Sequence, residues 1–178
     1  ANGFSVAALV GRREILDLGG ILNEGEERVF LISTTHGAEM CGLGAFIKTV
    51  EVYKDLGVIK HLWDYGEKLM GGMNVIAREL GINDFFYLEG YPCSPTFITK
   101  DKNGQNSMEL RTIFTYEMAS NNILFPWIAL CYSHKERELE MTLEAARKAL
   151  KVYCQALNSD VNTYIKGSVL KPVFRRFN

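Results

Sequence analysis

No apolar run in this chain is long enough to cross a bilayer, which excludes a membrane-spanning helix. Charge of one sign is not in excess either: 20 Lys and Arg stand against 21 Asp and Glu, for a net charge of −1 over 178 residues. That balance excludes the basic footprint of a nucleic-acid-binding surface. The four cysteines, Cys41, Cys93, Cys131 and Cys154, form no CxxC pair and no zinc-ligand spacing, so neither a disulfide scaffold nor a metal site is expected. They read as reduced, buried thiols of a cytoplasmic protein. No internal repeat and no low-complexity tract is present. The first residues, Ala1-Asn2-Gly3-Phe4, carry no initiator Met, no signal peptide and no transit-peptide composition. The sequence therefore reads as opening inside a motif.

What is present is an ordinary globular composition, 47% hydrophobic and 23% charged, in a chain long enough to cover about 70% of its unfolded surface. Residues 4–10 and 29–33 read as strands, with a short helix around Glu14 between them. A helical pattern follows Gly37 as far as about Lys54, with Leu43, Phe46, Ile47, Val50 and Tyr53 on one face. Ile59 to Leu80 is expected to be helical, with Leu62, Leu69, Met73, Ile76 and Leu80 at helical spacing, although Gly66, Gly71 and Gly72 weaken the pattern. Gly81 suits the position just past a helix end.

The period then changes. Residues 85–90 and 94–99 read as strands, the second placed at an edge by Pro95, and Asn103-Gly104 marks a tight turn. Met108 to Ala119 is expected to be a helix ending at Asn121-Asn122. Leu124 to Cys131 reads as a short strand interrupted by Pro126. Ser133 and Glu136 have the spacing of a capping box, followed by a strongly amphipathic helix carrying Leu139, Leu143, Ala146, Leu150, Tyr153 and Leu157. A domain boundary is set near residue 81.

The chemistry concentrates in Phe30-Leu31-Ile32-Ser33-Thr34-Thr35-His36-Gly37-Ala38-Glu39. A short apolar run ends in hydroxyl residues and a glycine, and a helical pattern follows. Strand, turn and helix start are the parts of a phosphate cradle: free backbone N–H groups and the positive end of the helix dipole face the turn. Thr34 and Thr35 add hydroxyl donors, and Gly37 lets the backbone come close. The same residues also serve as plain helix caps.

Two segments carry a resemblance. Ala1 to Gly11, in the order Ala-Asn-Gly-Phe-Ser-Val-Ala-Ala-Leu-Val-Gly, resembles the stretch after the Schiff-base lysine of class III pyridoxal-phosphate aminotransferases, in the glutamate-1-semialdehyde aminomutase-like branch. The Ser33–Glu39 segment resembles that family's Thr-x-x-Gly turn, which binds the cofactor phosphate of the neighbouring subunit. The ending from Leu170 to Asn178 resembles the C-terminus of sugar-biosynthetic members.

The resemblance implies an α/β architecture of aspartate aminotransferase-like fold type I. Residues 1–80 would be the end of the large pyridoxal-phosphate-binding domain with a connecting helix, and residues 81–178 the small α+β C-terminal domain. It implies pyridoxal 5′-phosphate as cofactor, a homodimer, and a small-molecule amino donor and carbonyl acceptor, with no nucleic acid and no membrane partner. The Schiff-base lysine is expected upstream of Ala1, so no catalytic residue is assigned within the chain.

Thr34 and Thr35 are both cofactor-phosphate candidates: Thr34 fits Thr-x-x-Gly, and Thr35 fits the Thr-x-Gly variant. No role carries over to His36. Glu39 is a first-turn carboxylate favoured by the helix dipole, and it opposes a nearby phosphate.

The remaining candidates read as structural. Lys48, Lys54, Lys148 and Lys151 sit on solvated helix faces. His134 belongs to the capping segment, and His61 and Trp63 to a core or interface helix. Trp127 reads as core, with the mouth of an active site as the alternative. Arg111 has the fork that suits a substrate carboxylate, but no family motif places it there. Two other readings stay open. One is a non-catalytic binding or assembly module that retains the phosphate-binding turn; the other is a protein that uses the turn for a different phosphate ligand.

Overall fold

The computed structural model describes residues 3–19, 25 and 39–171. These fall into two compact units, Ala1–Gly57 and Val58–Asn178.

The first unit holds a short helix α1 (Arg13–Leu16), a 3-10 turn (Asp17–Gly19) and helix α2 (Met40–Asp55). The strand expected over residues 4–10 is absent. Residues 5–10 carry no regular structure, with Leu9 and Val10 exposed, because no neighbouring strand among the described residues supplies a ladder. The strand expected over 29–33 lies outside the described residues. α2 is the expected helix, but its apolar face is not covered: Leu43, Phe46, Ile47 and Tyr53 are all exposed. Only Gly42 is buried. A Cβ there would come within 3.1 Å of the Ser5 carbonyl oxygen.

The second unit carries the core. Helix α3 (Val58–Glu79) leads into strands β1 (Phe86–Tyr91) and β2 (Ser94–Thr99), then helix α4 (Met108–Ser120), helix α5 (Glu136–Leu157) and a 3-10 turn at Val161–Tyr164. The three helices read from the sequence start or stop within two residues of the expected bounds. α3 ends as Gly81 predicts, with φ +69° at that glycine and the Ile82 amide donating to the Ala77 carbonyl at 2.9 Å. Asn122 reverses the chain after α4 at φ +65°.

The compact unit begins at Val58, upstream of the change of period at Gly81. The apolar stripe of α3 (Tyr65, Leu69, Met73, Ile76, Ala77) is buried, and α3 packs on β1 and α5.

β1 and β2 form an antiparallel hairpin, with Phe86 opposite Thr99, Leu88 opposite Phe97 and Gly90 opposite Pro95. Phe86, Leu88, Pro95, Phe97 and Thr99 carry the buried face, and Glu89, Thr96 and Ser94 face out, the period of two expected of a half-buried sheet. Phe86, Phe97, Phe114, Phe125 and Tyr153 make an aromatic centre; Phe86 and Phe114 have ring centroids 4.7 Å apart. Each such fully buried side chain contributes about 1.5–3 kcal/mol.

Both edges of this two-stranded sheet are closed by side chains. Leu88 and Phe97 are a non-hydrogen-bonded pair, so their backbone groups point outward. On the β1 side, Asn74 of α3 accepts from the Leu88 amide at 2.7 Å and donates to its carbonyl at 3.0 Å. On the β2 side, Arg111 of α4 donates to the Phe97 carbonyl at 3.2 Å and to the Pro126 carbonyl at 3.3 Å.

That bridge explains a second departure from expectation. Residues 124–131 run without strand structure, because Pro126 has no N–H to give to a ladder and the guanidinium occupies the carbonyls on both sides. The Tyr153 hydroxyl ties the strand ends together, accepting from the Lys100 amide at 3.2 Å and lying 2.9 and 3.0 Å from the Phe85 and Lys100 carbonyls.

The capping box is shifted by two residues. The helix N-cap is Lys135, and the Glu138 carboxylate reaches back to the Lys135 amide at 2.9 Å. Ser133 does not cap because residues 131–134 form a turn of their own. The His134 amide donates to the Cys131 carbonyl at 3.1 Å, and the His134 carbonyl meets His61 Nε2 at 2.8 Å.

Candidate functional site

The hydroxyl-rich segment Ser33–Gly37 is followed in sequence by a helix start. α2 begins at Met40, three residues after Gly37, with Glu39 as its N-cap in an extended conformation. The first ladder bond runs from the Leu43 amide to the Glu39 carbonyl at 2.9 Å. The amides of residues 40–42 therefore precede the ladder, the donor set that helix N-termini offer to anions. The Glu39 side chain makes no capping bond to the helix. Thr34, Thr35 and His36 themselves lie outside the described residues. What is described fits a phosphate-binding turn in one respect only, the helix that follows it.

The sequence-nominated lysines are surface groups. Lys48 pairs with Glu51 at 2.9 Å and Lys148 with Glu144 at 2.8 Å, and Lys54 and Lys151 are exposed. The pairing with Glu51 pushes the Lys48 ammonium above its ordinary value, the opposite of what a nucleophilic amine needs. The cysteines are all free thiols, but none is buried as expected: Cys41 and Cys131 are exposed, and Cys93 and Cys154 are half-buried. No cluster of His, Cys, Asp and Glu suited to a metal occurs among the described residues, and no helix there is long and apolar enough to cross a membrane.

His61 and His134 are brought together, with Tyr65 and Tyr132. The His61 ring lies 5.0 Å from Tyr132 and 5.9 Å from Tyr65, and His134 lies 5.7 Å from Tyr65. Burial first, and then the nearby Glu138, push the Tyr65 phenol up to about 12, so it remains protonated at neutral pH. Next to this cluster a cleft of about 410 Å³ opens between α3, residues 122–130 and the start of α5, lined by Tyr65, Leu124, Trp127, His134, Glu138 and Met141 among others. Trp127 is 68% exposed, contrary to its reading as a core group, because the segment that carries it has no ladder to hold it inward.

Arg111 occupies a second cleft, of about 460 Å³. Its guanidinium lies over the Phe97 ring, 3.9 Å from the centroid, and burial lowers its pKa. Lys171 lines the same cleft; its place beside Arg111 had no signal in the sequence, because 60 positions separate them.

No family model matches the chain, and no solved structure matches it. Two curated relatives do. The 3-aminobutyryl-CoA aminotransferase of Cloacimonas acidaminovorans is 28% identical over 153 residues, covering 84% of this chain and 35% of the relative. The glutamate-1-semialdehyde 2,1-aminomutase of Thermus thermophilus is 27% identical over 165 residues, covering 84% of this chain and 37% of the relative.

The chain is thus a homologue of aminotransferase and aminomutase enzymes. Within them it is related to the class III aminotransferases and the glutamate-1-semialdehyde aminomutase-like branch, in the C-terminal portion that the two motifs indicated. It spans little more than a third of the length of these relatives.

Proposed function

We propose that the chain is the C-terminal portion of a pyridoxal-phosphate-dependent aminotransferase or aminomutase. The similarity to two enzymes of that group over 84% of its length carries the reading. In this assignment residues 1–80 close the large cofactor-binding domain and supply the connecting helix, and residues 81–178 are the small domain. The Schiff-base lysine lies upstream of Ala1, and this chain alone is inactive. The complete enzyme acts as a homodimer on a small-molecule amino donor and carbonyl acceptor. The uncovered face of α2 supports the assignment: Leu43, Phe46, Ile47 and Tyr53 suit a helix that is buried within a larger α/β domain.

The cofactor, when bound, supplies the electron sink for cleavage at the substrate carbon that carries the amine. The part assigned to this chain is to hold its phosphate. Thr34 and Thr35 offer hydroxyl donors, and the leading amides of α2 add the positive end of a helix. In the complete protein, Thr34→Ala and Thr35→Ala, made separately, are expected to weaken cofactor binding by about 1.5–3 kcal/mol for each charge-assisted hydrogen bond lost. Cofactor dissociation followed by absorbance measures it. A change below about threefold for both variants would refute the phosphate assignment.

A further inference from the structure

We propose that the cleft between β2, the start of α4, Pro126–Trp127 and Leu170–Lys171 binds a small organic oxyanion, a carboxylate or phosphate ester on a flat apolar body. Its volume, about 460 Å³, lies in the range of small-molecule sites. Among the described residues two cations line it, Arg111 and Lys171, and no carboxylate side chain does. Among the described residues neither cation has an ion-pair partner. The acid bonded to the wall is Glu109, which accepts from Ser107 Oγ at 3.0 Å.

A guanidinium carries five N–H donors. Arg111 commits one Nη1 and one Nη2 donor to the Phe97 and Pro126 carbonyls, which leaves three. Those two bonds and the Phe97 ring beneath fix the fork in place before any ligand arrives, so little conformational entropy is lost when an oxyanion docks on it. A strut between β2 and the 126 segment requires none of the rest: a second cation with no ion-pair partner among the described residues, a walled cleft, or an indole left 68% exposed at Trp127. Trp127, Pro126 and Leu170 supply apolar surface for the body of the ligand. The site uses neither Thr34 nor Thr35, so its test is separate from that of the cofactor turn.

The test uses the 178-residue chain with four probes: 2-naphthoate, 2-naphthyl phosphate, the neutral 2-naphthalenemethanol and inorganic phosphate. Calorimetry gives affinity, and ¹⁵N shifts at the Arg111 Nε and Trp127 Nε1 resonances give location. At least one anionic naphthyl probe is expected to bind with a Kd below about 1 mM, at least about tenfold tighter than the neutral alcohol. Which of the two binds identifies the oxyanion. Lys171→Gln and Trp127→Ala alter exposed side chains and are expected to leave the fold intact. Each should weaken binding at least about threefold, the first also reducing its salt dependence. Neutral alcohol binding as well as the anions, no shift at Arg111 with any anionic probe, or unchanged affinity in Lys171→Gln would each overturn the proposal. Inorganic phosphate binding as tightly as the naphthyl probes would overturn the apolar half of it.

Discussion

Three glycines in α3 look alike in the sequence and are expected to respond differently to the same substitution. In a helix interior, Gly→Ala should stabilise by about 1 kcal/mol through reduced backbone entropy and better helix propensity. Gly71 meets that condition: a Cβ built there has no neighbour within 4 Å. Gly66 does not. Its Cβ would fall 1.7 Å from the Pro92 carbonyl oxygen, 2.6 Å from the carbonyl carbon and 2.9 Å from Leu130 Cδ1. Non-bonded carbon atoms settle at about 3.5–4.0 Å, so the backbone of α3 or of the β1–β2 turn must move. A Cβ driven into backbone puts the cost at the top of the usual overpacking range, about 3 kcal/mol, leaving a net loss of about 2 kcal/mol after the propensity gain of about 1 kcal/mol.

For a chain of this size each kcal/mol shifts Tm by roughly 2–4 °C. Gly71→Ala should therefore melt roughly 2–4 °C above the parent chain, and Gly66→Ala roughly 4–8 °C below it. Gly72→Ala should fall between the two, because its Cβ meets only the flexible end of Leu143, at 2.7 and 2.8 Å. Thermal melts by far-UV circular dichroism, checked by urea midpoints at constant slope, decide the ranking. If Gly66→Ala stabilises as much as Gly71→Ala, the close approach of α3 to the hairpin turn is wrong.

Asn74→Ala leaves the amide and carbonyl of the buried Leu88 unpaired. It should cost about 1–3 kcal/mol in urea unfolding and speed hydrogen exchange at the Leu88 amide; an unaltered exchange rate would show that Asn74 does not close that edge. The bond from the Lys135 amide holds the Glu138 carboxyl below its ordinary value. Its contribution is therefore fully present above the unfolded-state pKa and lost as pH falls through the folded one, and Glu138→Gln should flatten stability between those two points in acid melts. A slope unchanged by Glu138→Gln would place the acid sensitivity elsewhere. The complete protein should scatter light as at least a dimer at micromolar concentration, and a clean monomer would count against the aminotransferase reading.

The elements most legible in the sequence are those whose own pattern decides them. α3, α4 and α5 follow from apolar spacing, and the hairpin follows from two runs that alternate with a period of two. Their ends follow from residues that tolerate φ > 0, Gly81 and Asn122. What failed was whatever depends on a partner. Residues 5–10 have strand composition but no neighbour to pair with among the described residues. Residues 124–131 have strand composition, but Arg111, thirteen or more positions away, takes the carbonyls that a ladder would use. Ser133 has the spacing of a cap, but residues 131–134 close a local turn first, and the helix waits for Glu138 to reach back.

The candidate site divides in the same way. The proposed phosphate turn could be nominated because its candidate donors are consecutive in the sequence, from Ser33 to the start of α2. The oxyanion cleft could not, because it is assembled by packing. Arg111 was visible only as an arginine on a helix, and its partner cation Lys171 and the exposed face of Trp127 arrive from two other segments. A local pattern specifies an element, and a site built from three separate segments becomes visible only after the core around Phe86, Phe97 and Phe114 has set where those segments cross.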